Sequence, residues 1–318
     1  MDNPWDCIVV GGGAAGLSAA LVLGRARRRT LVVDTGSPSN LPSEGVGGLL
    51  GHDGRSPAEL YAIGRRELEA YPTVELLADT VERGERVDGA FALELAGGRR
   101  ETTRRVILAT GMDYRPPKLQ GLAELWGRSV FHCPFCHGWE ARDQALAVLG
   151  GGDGGLHRAL LLRGWSDDIV LLGNGPAELG EDNRARLAAA GIEVDERPVA
   201  GLVARDGALA AIEFSDGSHL PREGLLVPVT LGQRSALAAQ LGAELAEPGP
   251  VVVDAVVVDP MFRTTSPGVS AAGDMSAQLP QVAGAISAGS LAAAGVVQGL
   301  MADDHGLAVP PVPARTTA

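Results

Sequence analysis

Residues 5–36 contain an apolar strand, a glycine-rich turn, a helix and a second strand that ends in an acidic residue. The segment reads WDCIVVGGGAAGLSAALVLGRARRRTLVVDTG. In such a unit Gly11 permits the tight turn, Gly13 lets a pyrophosphate approach the backbone, and Gly16 lets helix and strand pack closely. The helix N-terminus presents free N–H groups to the phosphates, and Asp34 lies where it can accept hydrogen bonds from a ribose. The segment therefore predicts a dinucleotide-binding unit.

A second copy of this pattern follows later in the chain. The segment ALAVLGGGDGGLHRALLLRGWSDDIVLLGNG places a strand at Ala145–Leu149, glycines at 150, 152 and 155, and a second strand at Asp168–Leu172. The Pro116-Pro117 pair between the two copies is typical of a domain linker. The chain therefore carries two nucleotide-binding modules, and we expect an α/β protein built from Rossmann-like, three-layer domains with parallel sheets.

The amino-acid composition limits the classes of molecule that the protein is expected to bind. The 318 residues are 45% hydrophobic and 21% charged, which is ordinary for a globular protein of two domains. A net charge of -12 argues against nucleic acid as a partner. The N-terminal MDNPWD lacks a basic signal region, which predicts the cytoplasm. The uncharged run Val282–Met301 is long enough for a membrane span, but it consists mainly of alanine and glycine, and we expect a buried helix packed against a cofactor rather than a membrane segment.

The stretch HCPFCHGWE holds two of the three cysteines, Cys133 and Cys136. Its Cys-x-x-Cys-His pattern is also a haem-attachment signature, but haem attachment requires export. Zinc needs four ligands, which four side chains within six residues cannot easily supply around one ion. An inert structural pair remains as an alternative. The sequence favours a redox-active pair, in which His137, with His132 as an auxiliary, exchanges protons with the thiols.

The order of these motifs resembles the low-molecular-weight thioredoxin reductase family of flavoproteins. The order is a first GxGxxG, then VILATG, CxxC, a second GxGxxG and SPGVSAAGD before a helix of small residues. The resemblance implies an FAD-binding domain made of residues 1–114 and 247–318, with a loose tail at the C-terminus. An NAD(P)-type domain that carries the CxxC pair, residues 115–246, would be inserted between the two parts. The resemblance also implies a homodimer.

The resemblance also assigns roles to residues. It places Cys136 against the flavin and makes Cys133 the thiol that exchanges with substrate. Asp274 would bond the ribityl or phosphate part of FAD, and the helix that begins at Gln281 and Val282 would direct its N-terminus at the flavin pyrimidine. The full set of cofactor-binding residues that it implies is Gly11, Gly13, Ala14, Ala15, Gly16, Asp34, Asn40, Gly111, Gly273, Asp274, Gln281 and Val282.

Two departures from ordinary members bear on function. His137 stands where thioredoxin reductases have a proton-shuttling aspartate, a pattern similar to the dithiol oxidases that close disulfides in natural products of the gliotoxin and holomycin type. The second module reads GNGPAELG where NADPH-dependent members carry a cluster of histidine and arginine. The sequence therefore leaves open whether this module binds NADPH, NADH or no nucleotide.

Three hypotheses follow. The first is an FAD-dependent dithiol oxidase that forms an intramolecular disulfide in a small-molecule dithiol and passes the electrons to molecular oxygen. The second is a reductase of thioredoxin or of a small disulfide that takes electrons from NAD(P)H. The third is a flavin-binding redox sensor without catalysis. The identity of the substrate cannot be read from the sequence.

Overall fold

The computed structural model describes residues 4–276 and 280–308. In chain order the strands are β1 (Trp5–Val10), β2 (Thr30–Asp34), β3 (Val74–Ala78), β4 (Val81–Val87), β5 (Ala90–Leu95), β6 (Arg100–Leu108), β7 (Met112–Arg115), β8 (Val130–Phe131), β9 (Leu146–Leu149), β10 (Ile169–Leu172), β11 (Glu193–Asp195), β12 (Val199–Arg205), β13 (Ala208–Phe214), β14 (His219–Pro221), β15 (Gly224–Leu226), β16 (Thr230–Gln233) and β17 (Val269–Ala271). The helices are α1 (Ala14–Arg25), α2 (Pro57–Leu68), α3 (Leu122–Leu125), α4 (Pro134–His137), α5 (Gly152–Leu162), α6 (Glu181–Ala189), α7 (Leu237–Gln240) and α8 (Val282–His305). Residues 309–318 of the predicted tail lie outside the described residues.

The chain forms two compact units. The outer unit contains the residues up to Leu41, Ala58–Tyr114 and the residues from Thr230 onward, and the inserted unit contains Pro42–Pro57 and Arg115–Val229.

This division differs from the predicted domain boundaries in two places. Residues 230–246, expected in the inserted domain, belong to the outer unit, where the side chain of Gln240 accepts a hydrogen bond from the Gly84 N–H at 2.9 Å. The segment Pro42–Pro57, expected in the FAD domain, belongs to the inserted unit, where Pro42 packs closely against Gly127.

A parallel sheet forms the centre of the outer unit. Strands β3, β2, β1 and β6 lie side by side in this order, and β17 runs parallel to the end of β6. The start of β6 pairs antiparallel with β5, which pairs with β4. Cys7, Ile8 and Val9 are fully buried, as expected for a strand covered on both faces. Because β1 and β2 pair in register up to Val10 and Val33, both strands end at the same edge of the sheet.

The inserted unit contains a second parallel sheet, with the strand order β11-β10-β9-β15-β8. A three-stranded antiparallel sheet of β12, β13 and β14 accompanies it. The strands β9 and β10 begin one residue later than the sequence predicted, and the glycine turn of the second module follows β9 directly. The predicted α/β fold with Rossmann-like parallel sheets is confirmed.

Helix α8 contains the long apolar run that the sequence singled out. By length and composition alone it could cross a membrane, with a mean hydropathy of 1.5. In the structure its small side chains pack along α1, and the Ser18 hydroxyl of α1 donates to the Ile286 carbonyl at 2.7 Å. A Cβ added at Gly289 would lie only 2.0 Å from the Ala15 carbonyl oxygen, so the two helix backbones are in direct contact there.

Two glycines of α8 provide a matched test of this contact. We expect Gly289→Ala to lower the free energy of unfolding by about 1–3 kcal/mol, because the added methyl group must push the two backbones apart. At Gly299 the added Cβ would meet only the Arg105 guanidinium at 3.8 Å, an ordinary contact. Gly299→Ala should therefore raise the free energy of unfolding by about 0.5–1 kcal/mol through helix propensity. Urea unfolding of both variants at equal flavin content would check this, and equal effects of the two substitutions would contradict it.

Candidate functional site

The glycine turn after β1 has the shape that dinucleotide binding requires. Gly11 has a φ of 105°, and its N–H donates to the Val33 carbonyl at 2.8 Å. A Cβ at Gly11 would lie 2.3 Å from the Ala109 oxygen, and one at Gly16 would lie 1.8 Å from the Gly11 oxygen, so neither position tolerates a side chain. In contrast, no neighbouring atom of the described residues lies within 4 Å of the Cβ position of Gly13. The turn is closed against the sheet and open at the glycine that the pyrophosphate approaches.

Asp34 ends β2 beside this turn. Its Oδ1 accepts a hydrogen bond from the Gly12 N–H at 3.0 Å, and a Cβ at Gly12 would lie 2.6 Å from the carboxylate carbon. This bond holds the carboxylate next to the start of α1, where Ala14 and Ala15 form the first helical residues. The carboxylate therefore lies beside the phosphate-binding turn, where the fingerprint places the ribose acceptor.

A polar cluster follows β17. Gly273, with a φ of 82°, leads into Asp274, whose Oδ2 accepts a hydrogen bond from the Tyr114 hydroxyl at 2.9 Å. Burial raises the pKa of Asp274, while the bond from Tyr114 and the charge of Arg234 oppose this rise. Burial, with the charge of Asp274, also raises the pKa of Tyr114. At neutral pH the tyrosine therefore stays protonated and acts as the donor.

Asn40 belongs to the same cluster through Tyr61, whose hydroxyl donates to the Asn40 Oδ1 at 2.9 Å. Burial raises the pKa of Tyr61, and the negative charge of Asp274 adds to this rise. Gly111, with a φ of 68°, lies shortly after β6, and no neighbouring atom of the described residues lies within 4 Å of its Cβ position.

The predicted cofactor residues gather at one edge of the outer sheet. The turn after β1, the end of β2 and the segments after β6 and β17 follow the carboxyl ends of parallel strands, the edge at which α/β proteins bind nucleotides. Gln281 is the N-cap residue of the 24-residue helix α8, and Val282 is its first residue. An open glycine turn, a carboxylate beside it and a buried polar cluster fit the phosphate, ribose and ribityl parts of a flavin dinucleotide.

In the inserted unit, Cys133 and Cys136 form a disulfide in the short helix α4. Cys133 is the N-cap residue, Pro134 is the first helical residue, and the Cys133 carbonyl accepts from the N–H groups of Cys136 and His137 at 3.2 Å. A Cβ at Gly138 would lie 2.5 Å from the Pro134 oxygen and 2.8 Å from the Trp165 ring. The glycine therefore lets the helical turn lie directly against that ring.

His137 lies one helical turn after Cys133 and is held through one ring nitrogen. Its Nε2 lies 3.2 Å from the Gly127 carbonyl and 3.3 Å from the Ser43 hydroxyl. A carbonyl can only accept, so Nε2 carries the proton in the neutral ring and Nδ1 carries the lone pair. Nδ1 is buried and has no hydrogen-bond partner among the described residues. The tautomer that these contacts select leaves a basic nitrogen unpaired.

Burial lowers the pKa of His137 below its usual value of about 6.5, although the Gly127 carbonyl and the charge of Glu140 oppose this shift. The ring stacks on Phe131, with ring centroids 5.6 Å apart. His137 is therefore neutral at pH 7 and ready to accept a proton.

His132 lies in a drier environment. Burial, with a smaller contribution from His137, lowers its pKa to about 4, and its ring stacks on Trp126 with centroids 5.7 Å apart. His132 is therefore neutral throughout the physiological range, and it accepts a proton less readily than His137.

The segment Pro42–Pro57 belongs to this dithiol site, which the sequence did not predict. Ser43 reaches the His137 ring, and a Cβ at Gly47 would lie 3.0 Å from the Cys136 carbonyl oxygen. Ser43 is about 90 residues from the CxxC pair in sequence, and no pattern around it signalled a role. Tyr114, in β7, and Tyr61, in α2, were also missed, because a single tyrosine in a strand or a helix carries no motif.

The glycine turn of the second module repeats the shape of the first. Gly150 has a φ of 113°, and a Cβ at Gly155 would lie 2.2 Å from the Gly150 oxygen. Gly152, like Gly13, has no neighbouring atom of the described residues within 4 Å of its Cβ position, and the two turns differ in the group that lies against them. The Gly152 N–H donates to the Ala177 carbonyl at 2.8 Å, and a Cβ at Gly151 would lie 2.3 Å from the same oxygen. The backbone at Ala177 thus lies where the first module holds the carboxylate of Asp34.

Arg158 of α5 lies against this second turn and donates to the Leu149 carbonyl at 3.4 Å, whereas the charged groups of the neighbouring loop pair with one another. Glu196 accepts from the Ala177 N–H at 2.9 Å and pairs with Arg184. Arg197 pairs with Asp195 and donates to Ser218. A cluster of cations that would grip a nucleotide 2′-phosphate is not formed by these arginines.

Comparison with known proteins agrees with the fold and the motifs. A family model described as pyridine nucleotide-disulphide oxidoreductase matches residues 5–289. Thioredoxin reductase tcpT of Claviceps purpurea is 33% identical over 314 residues, which cover 96% of this chain and 97% of that protein. The crystal structure of HlmI is 38% identical with a TM-score of 0.89, over 96% of this chain and 95% of that one. The structure of an oxidoreductase from Agrobacterium tumefaciens is 36% identical with a TM-score of 0.88, over 94% of this chain and 99% of that one.

The resemblance that the order of motifs predicted is confirmed by these relatives. The matched region includes both glycine turns and the CxxC pair. The chain therefore belongs to the pyridine nucleotide-disulphide oxidoreductase family and is a flavin-dependent oxidoreductase related to thioredoxin reductases.

Proposed function

We propose that this enzyme is an FAD-dependent dithiol oxidase that closes an intramolecular disulfide in a small-molecule dithiol natural product. In the overall reaction one dithiol and one molecule of oxygen give one cyclic disulfide and one hydrogen peroxide. The observation that carries this proposal is the Ala177 carbonyl, which lies against Gly151 and accepts the Gly152 N–H of the second glycine turn.

The position of the Ala177 backbone supports electron flow from the dithiol to the flavin, because it disfavours binding of a nicotinamide nucleotide. A nicotinamide dinucleotide needs the free N–H groups of the helix N-terminus for its pyrophosphate. The Gly152 N–H is already bonded to Ala177, and Glu196 places a negative charge beside the same loop. A reductase that takes electrons from NAD(P)H would have to displace this packing, whereas an oxidase has no need of the second nucleotide.

The dithiol site supplies the chemistry of exchange. A substrate thiolate attacks the sulfur of Cys133, so that the Cys133–Cys136 bond breaks and a mixed disulfide forms. The second thiol of the substrate then attacks the substrate sulfur that is bonded to Cys133. The cyclic disulfide leaves, and both cysteines remain reduced. His137 accepts the proton that the second thiol loses, since its Nδ1 is unpaired and its ring is neutral at pH 7.

Reoxidation of Cys133 and Cys136 to the disulfide would require FAD. FAD, held by the turn at Gly11–Gly16 and by Asp34 and Asp274, would take the electron pair from the reduced cysteines and deliver it to oxygen. The proposal also adopts the homodimer that the family resemblance implies.

The second candidate is an NAD(P)H-dependent reductase of thioredoxin or of a small disulfide. It is favoured by the name of the fungal relative, a thioredoxin reductase, and by the retained glycine turn at Gly150–Gly155.

Oxygen consumption separates the two candidates. We expect the flavin-loaded enzyme to consume oxygen with butane-1,4-dithiol in the absence of any nicotinamide nucleotide. Under anaerobic conditions the dithiol should bleach the flavin absorbance, whereas NADPH and NADH should not. Cys133→Ser and Cys136→Ser should each abolish turnover. Cys7→Ala, at a buried position in β1, is the control that should keep it. Rapid bleaching by NADPH without oxygen uptake from dithiols would establish the reductase instead.

A pH profile tests the role of His137. We expect His137→Gln to lower kcat/KM by about 10²-fold at pH 7, the usual loss when a general base is removed. The ratio of wild-type to variant kcat/KM cancels the ionisation of the substrate thiol. Because burial lowers the pKa of His137, this ratio should be constant above about pH 7 and should fall as the ring becomes protonated below about pH 6.5.

The matched control is His132→Gln. With a pKa of about 4, His132 stays neutral over the range measured, so this variant should keep the acidic fall of the wild type. A fall that persists in His137→Gln and disappears in His132→Gln would reverse the two assignments.

A further inference from the structure

Two aromatic side chains beside the disulfide are exposed to solvent. The chain has twelve aromatic residues, five Phe, four Trp and three Tyr. Among the described residues, the large apolar side chains that are exposed include just two aromatic ones, Phe135 at 63% and Trp139 at 66%. Burying an apolar ring lowers the free energy, so two rings that stay exposed beside a reactive disulfide need an explanation.

The two rings project from one face of the helical turn. Phe135 lies between the two cysteines in sequence, and Trp139 follows it by four residues. The turn continues past α4 with i to i+4 bonds, from the Gly138 N–H to the Pro134 carbonyl and from the Ala141 N–H to the His137 carbonyl. Residues four apart in a helix are neighbours on its surface, as are Cys136 and Trp139, which are three apart. Both rings therefore lie on one side of Cys136 on the surface of the turn.

Contacts within the inserted unit hold both rings in place. Phe135 meets the half-buried Trp165 edge to face, with centroids 5.7 Å apart. The Arg142 guanidinium lies 4.1 Å from the centre of the Trp139 ring, and its Nη1 donates to the Trp139 carbonyl at 2.6 Å. Arg142 covers part of the ring, and two thirds of Trp139 still faces solvent. Rings that are exposed and yet fixed lose little conformational entropy when a ligand stacks on them.

We propose that Phe135 and Trp139 form a substrate-binding surface that selects dithiols carried on a flat, apolar scaffold. This inference rests on the proposed oxidase function and adds the class of substrate. The occupant is the scaffold of the substrate, since its sulfur must reach Cys133 and the rest of the molecule then lies next to the two rings. The reaction itself is unchanged: the substrate loses two electrons and two protons, and the enzyme disulfide becomes a dithiol.

The test uses two dithiols that close rings of the same size. Butane-1,4-dithiol and benzene-1,2-dimethanethiol both give six-membered cyclic disulfides, but only the second carries a flat aromatic group. The measured quantity is the preference, the kcat/KM for the aromatic dithiol divided by that for the aliphatic one. Comparing the preference of variants with that of the wild type cancels the intrinsic reactivity of the two thiols.

We expect Trp139→Ala and Phe135→Ala each to lower the preference by between about twofold and tenfold, the range of one aromatic contact. The midpoint of urea unfolding should stay near the wild-type value in both variants, which shows that the protein has folded. Trp139→Phe, which keeps a ring, should retain most of the preference. Val87→Ala removes an exposed apolar side chain of the outer unit and should leave the preference unchanged.

The outcomes are distinguishable. If neither dithiol is oxidised by the wild type, the proposed function fails. If both are oxidised and the alanine variants keep the wild-type preference, the function stands and the binding surface is refuted. An unchanged preference together with a smaller assembly of Trp139→Ala in size-exclusion chromatography would identify the rings as a contact between copies of the chain, which also refutes it.

Discussion

The architecture depends on backbone contacts that only glycine permits. At Gly16 and at Gly155 the helix of each module approaches the carbonyl oxygen at the start of its turn so closely that a Cβ would lie about 2 Å from it. These contacts set the first turn of α1 and of α5 over the carboxyl edges of their sheets. The phosphate-binding turn of the first module depends on that placement, because the free N–H groups of a helix are useful only where the strands deliver a ligand.

The two modules share one backbone scaffold but differ in the group that lies against the glycine turn. In the first, a carboxylate at the end of the second strand lies beside the turn, and the middle glycine is open. In the second, a loop backbone occupies the corresponding place and takes up the N–H of the middle glycine. The glycines are the same in both because they serve helix packing as well as ligand binding.

The sequence predicted what local chemistry determines. The β1–turn–α1 unit follows from residues within 30 positions of one another. Ser43 could not be predicted as a neighbour of His137, because their contact is formed by a loop that joins the inserted unit from a distant part of the chain. The compact units depart from the predicted boundary at 246 for a similar reason, since Gln240 accepts a hydrogen bond from the Gly84 N–H, a contact between residues far apart in sequence. The second module was predicted from its glycines, and only the structure revealed the position of Ala177.

The contact between Gly289 and Ala15 also has a consequence for biosynthesis. Helix α1 is complete once the ribosome has passed Arg25, whereas the helix that covers it starts at Val282. At typical translation speeds the roughly 260 intervening residues take on the order of 10–50 s to synthesise. Throughout this time the apolar face of α1, including Leu23, has no α8 to cover it. Packing of the outer unit around α1 is therefore completed only after almost the whole chain has been made.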